Sequence, residues 1–104
     1  MIQEATAYKN ITIKLPKNVA DIVSVQEIIT LLADKSLNKA EYYRSKCQKM
    51  EQKYRTDFAG FKKKVEASGE EIFSDWDDLM VWEGYCIGYK EWSRRYEELK
   101  NCII

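Results

Sequence analysis

Between residues 8 and 15 apolar and polar positions alternate: Ile11, Ile13 and Leu15 fall on one side, Asn10, Thr12 and Lys14 on the other. That period of two predicts a half-buried β-strand. Pro16 ends the alternation and is suited to open a helix, because its missing N–H loses nothing in a first turn. A short helix through Val19, Ile22 and Val23 follows, interrupted near Ser24. From Val25 the period changes. Val25, Ile28, Ile29, Leu32, Ser36, Ala40, Tyr43, Cys47, Met50, Tyr54, Phe58, Phe61 and Val65 keep helical spacing. At 100° per residue they fall within an arc of roughly 120°, the width of a core-facing stripe. Asn38 with Glu41, and Arg55-Thr56-Asp57 ahead of Gly60, mark places where a helix could restart, but the steady phase favours bends over breaks.

Ser68-Gly69 is the clearest stop signal, glycine being suited to the left-handed conformation that ends helices. A further helix is predicted over 74–101. Its first turns carry Asp75, Asp77 and Asp78 and its last turns Arg94, Arg95 and Lys100, the order that complements the helix dipole. Leu79, Val81, Trp82, Tyr85, Cys86, Tyr89, Trp92, Tyr96 and Leu99 cover close to half its circumference. The pattern therefore predicts a mainly α chain in a single domain over 1–104. A short N-terminal strand (8–15) precedes a long helical segment (17–67), and a C-terminal helix (74–101) folds back antiparallel as a helical hairpin.

Composition narrows the chemistry. Across 104 residues, 17 Lys+Arg balance 17 Asp+Glu, so there is no global basic field to hold nucleic acid. There is no histidine, which removes the commonest general acid–base and the ordinary zinc ligand. Neither a cofactor motif nor a catalytic constellation is evident, and a non-enzymatic role without cofactor or metal is expected. No apolar run approaches the roughly 20 residues that span a bilayer. The start, Met1-Ile2-Gln3-Glu4, does not have the pattern of a secretory signal. Three cysteines, Cys47, Cys86 and Cys102, make neither a disulfide framework nor a zinc ribbon. Together these predict a cytoplasmic protein with no membrane partner.

Two clusters invite a functional reading. Glu70, Glu71, Asp75, Asp77, Asp78 and Glu83 offer carboxylates to Mg²⁺ for phosphoryl transfer, or are simply first-turn acids favoured by the dipole. No Gly-rich phosphate loop accompanies them, which favours the second reading. Lys62-Lys63-Lys64 reads as a solvated helix face. Trp76, Met80 and Ile87 lie opposite the broad apolar arc, among Glu83, Glu91 and Arg94. Trp and Met are enriched at the centres of protein interfaces, so Trp76, Met80, Glu83, Ile87 and Glu91 form a predicted partner-binding face with an acidic rim. The breadth of the other arc, and a strand with no mate, predict a homodimer or higher homo-oligomer in which Tyr43, Cys47, Met50, Tyr54, Trp82 and Tyr89 build the shared core of a bundle.

Ile11-Thr12-Ile13-Lys14-Leu15-Pro16-Lys17 followed by an amphipathic helix resembles the start of ribbon-helix-helix repressors and the antitoxins built on them. The resemblance implies that paired strands enter a DNA major groove, with Asn10, Thr12 and Lys14 reading bases. Tyr54-Arg55-Thr56-Asp57-Phe58 with Phe61, and Asp78 with Trp82-Glu83, are similar to segments of antitoxin-like proteins of prokaryotic toxin–antitoxin pairs. That resemblance implies a non-enzymatic protein that neutralises a basic partner toxin and binds its own operator. The alternative is a structural homo-oligomeric helical adaptor with no nucleic-acid role.

Overall fold

The computed structural model describes residues 7–69 and 73–102. Four helices follow in order: α1 (Lys17–Ala20), α2 (Val25–Tyr54), α3 (Phe58–Ala67) and α4 (Phe73–Lys100). The long pair α2 and α4 pack antiparallel, and α3 folds back over the lower end of α4.

Local chemistry sets these boundaries. Ser24, in extended backbone, caps α2 by accepting a hydrogen bond from the Glu27 N–H at 3.0 Å. The helix then runs unbroken through Asn38 and ends at Arg55, whose φ of 56° and ψ of 36° are left-handed. Asp57 restarts the chain as the cap of α3, its Oδ1 accepting the Gly60 N–H at 2.7 Å. The segment 17–67 is thus divided rather than merely bent. Three non-helical residues, 55–57, preserve the phase of the apolar stripe across the interruption, so periodicity alone does not reveal the break.

The alternation over 8–15 does not produce a strand. Among the described residues none is in a strand, and residues 7–16 lie outside regular structure with Ile11, Ile13 and Leu15 exposed. A strand is stabilised by ladder hydrogen bonds and cross-strand side chains, and this chain offers that segment neither.

The core is small and sits at the α3 end. Phe61, Val65, Leu79 and Trp82 are buried together, with Cys47, Met50, Tyr54, Phe58 and Cys86 packed around them. Trp82 is fully enclosed, its ring 5.4 Å from Phe61 and 5.7 Å from Phe58. Further along the hairpin the helices approach closely at Gly88, where an added Cβ would lie 2.9 Å from the Tyr43 ring. The molecule is elongated, 62 × 36 × 19 Å with a radius of gyration of 19.6 Å. A compact chain of this length would have a radius near 13 Å. Its 9002 Å² of accessible surface likewise exceeds the roughly 6,100 Å² expected for a globular monomer of its mass.

Candidate functional site

α4 has two apolar faces. The inner one carries Leu79, Trp82 and Cys86 into the core. The outer one carries Phe73, Trp76, Met80 and Ile87, spaced by three, four and seven residues so that they share one side of the helix. Their exposures are 79%, 37%, 71% and 50%. Gly84 sits within this stripe with open space beside it, so the surface between Met80 and Ile87 is a shallow dip. Glu83 and Glu91 flank the stripe, both exposed, and neither makes an ion pair or hydrogen bond among the described residues. Arg94 is engaged by Glu98 at 2.9 Å.

A polar clamp fixes the start of this face. Lys53 Nζ donates to Asp78 Oδ2 at 2.7 Å, and the Tyr54 hydroxyl donates to the same oxygen. The clamp ties the end of α2 to the second turn of α4, next to Trp76 along the helix. Hydrogen bonds from Lys53 and Tyr54 hold the Asp78 carboxyl below its ordinary range. Burial, reinforced by Asp78, pushes the Tyr54 hydroxyl up. A depressed carboxyl stabilises the fold fully above its unfolded value, and that stabilisation is lost as pH falls through the folded value. The thermal midpoint is therefore expected to drop as pH falls below the ordinary carboxyl value of 3.8, and Asp78→Asn, lower at neutral pH, should flatten that part of the profile. An unchanged slope in Asp78→Asn would assign the acid loss to other carboxylates.

The remaining predicted residues are placed as follows. Asn10, Thr12 and Lys14 are exposed on the irregular segment before Pro16. Tyr43, Cys47, Met50 and Tyr54 are half-buried along the α2–α4 seam, and Tyr89 is largely exposed. Trp82 is enclosed within a single chain, which leaves it no surface for a second copy. Of the acidic cluster, Glu70 and Glu71 lie outside the described residues. Asp78 is committed to the clamp, and no group of three or more described residues is arranged to hold a metal ion. Burial and the neighbouring Cys86 raise the Cys47 thiol to about 11. At the far end of the hairpin a cleft of about 410 Å³ has Leu32, Trp92 and Leu99 in its lining together with Lys35 and Arg95, the latter 4.5 Å from the Trp92 ring centre. Its charge is the opposite of the acid-flanked stripe.

Phe73, missed by the sequence reading, extends the stripe by a turn; it lies three residues before Trp76 and seven before Met80, the same phase. No described helix is long and apolar enough to cross a membrane. Comparison with protein-family models, curated proteins and solved structures finds no match.

Proposed function

We propose that this chain is a non-enzymatic, antitoxin-like protein-binding module whose outer α4 face takes a basic protein partner and neutralises it. The observation that carries this reading is the uncovered stripe Phe73–Trp76–Met80–Ile87 on a helix whose other face already supplies the core. A stripe of this width on both sides of one helix exceeds what folding the single chain uses. Unpaired Glu83 and Glu91 at its edge favour a cationic partner by charge complementarity. Co-expression with a small basic protein encoded beside it should yield one complex on size exclusion. Elution of the two as separate species would remove the reading.

We further infer that two copies associate. The exposed Ile11, Ile13, Leu15, Ile22 and Val25, together with the excess accessible surface, leave more apolar area than a stable monomer presents. Light scattering at micromolar concentration should report about twice the chain mass, and a monodisperse monomer would exclude this. Operator binding is the part of the antitoxin reading that depends on this pairing, because Asn10, Thr12 and Lys14 read a groove only from a two-stranded ribbon. Binding to the chain's own upstream DNA should then fall steeply with added salt, less so in Lys14→Ala. No retardation of that DNA at low salt would leave the protein-binding role standing alone.

A further inference from the structure

We propose that Cys47 and Cys86 form a covalent modification site, a thiol pair across the α2–α4 seam that a low-molecular-mass disulfide oxidises to an intrachain disulfide. The two sulfurs are 3.9 Å apart although 39 residues separate them in sequence. A groove of about 310 Å³ opens beside them, lined also by Arg44, Gln48, Glu51 and Tyr89, and gives a small reagent access to both. The third cysteine, Cys102, follows the end of α4 and lines the separate cleft beside Leu32 and Leu99.

Two features make closure feasible. The Tyr43 ring lies directly on Gly88, next to the pair along both helices, so no side chain at 88 props the helices apart there. The sulfurs then need to gain only about 2 Å to reach the 2.03–2.05 Å of a disulfide. The chemistry balances with the reagent as oxidant. A thiolate from the pair attacks the reagent disulfide, forming a mixed disulfide and releasing one small thiol. The neighbouring protein thiol, losing its proton, attacks the mixed disulfide and releases the second small thiol. Two protein thiols are oxidised and one external disulfide is reduced. Burial and the adjacent Cys86 keep Cys47 protonated at neutral pH, which slows the exchange without blocking it.

The bond would close a loop containing α3 and restrict the unfolded chain, and it lies on the seam rather than on the outer α4 stripe. This inference is therefore independent of what that stripe binds. The test uses the full chain carrying Cys102→Ser, incubated with oxidised glutathione. The mass should fall by about 2 Da, the loss of two hydrogens, with no glutathione retained. Iodoacetamide should no longer label Cys47 or Cys86, and a peptide joining the two should be recovered. The melting temperature should rise by roughly 10 °C and return on treatment with dithiothreitol. A second variant, with Cys86→Ser added, should show neither the mass loss nor the rise. Retained glutathione on one cysteine, continued labelling of both, or crosslinks between copies would overturn the proposal.

Discussion

Trp82→Ala is expected to destabilise the protein by about 3–5 kcal/mol, a large share of the roughly 5–15 kcal/mol available to a domain of ordinary stability. The reason is the scarcity of core. Trp82 is fully buried and stands at the junction of three helices, its ring near those of Tyr54, Phe58 and Phe61. Those three rings come from the end of α2 and from α3, so one side chain holds both against α4. Removing it should release α3 first. Proteolysis at residues 55–57 and loss of near-ultraviolet ellipticity should accompany the lower denaturation midpoint. Because Trp82 is enclosed within one chain, the difference from the parent protein should be the same at every protein concentration. A difference that shrinks on concentrating the sample would put Trp82 at an interface between copies, and a midpoint equal to the parent's would mean that this core does not govern stability.

The helical hairpin is legible in the sequence because a face that packs along its length keeps one phase. Of the thirteen stripe positions from Val25 to Val65, only Val25 and Leu32 are largely exposed in the structure, both toward the open end of the hairpin. The turn at 55–57 is marked in the sequence as a place of restart but not decided there, since Arg55 carries none of the glycine signal that its left-handed backbone would suggest. Its cue was instead Asp57, three residues before Gly60, a capping spacing whose use depends on tertiary packing. The segment 8–15 shows the complementary case, alternating in sequence yet outside regular structure in the single chain. Alternation records which side chains could share a face, whereas a strand also requires a mate, and period alone carries no information about that. For the outer face of α4 the wheel placed Trp76, Met80 and Ile87 on the side away from the core arc, and the structure leaves all three exposed. The clamp of Lys53 and Tyr54 on Asp78 was hidden because its members lie about 25 residues apart, a separation that only the antiparallel pairing brings together.

Trp76→Ala should weaken the complex with a basic partner by about 2 kcal/mol or more, near thirtyfold in Kd, as truncation of a central interface tryptophan does. The same change should cost the fold far less than Trp82→Ala does, because Trp76 retains 37% of its surface in the free chain whereas Trp82 is fully buried. Met80→Lys tests the same face by another route. It removes an exposed apolar contact and presents the partner with a charge of its own sign, so affinity should fall while helix content, well supported by lysine, is preserved. Glu83→Gln together with Glu91→Gln should act differently again: these rim charges should alter the association rate and its salt dependence more than the lifetime of the complex. The three effects separate an apolar centre from a charged rim. If Trp76→Ala instead lowered the melting temperature as far as Trp82→Ala, the residue would belong to the folded core, and the outer face of α4 would not be the binding site.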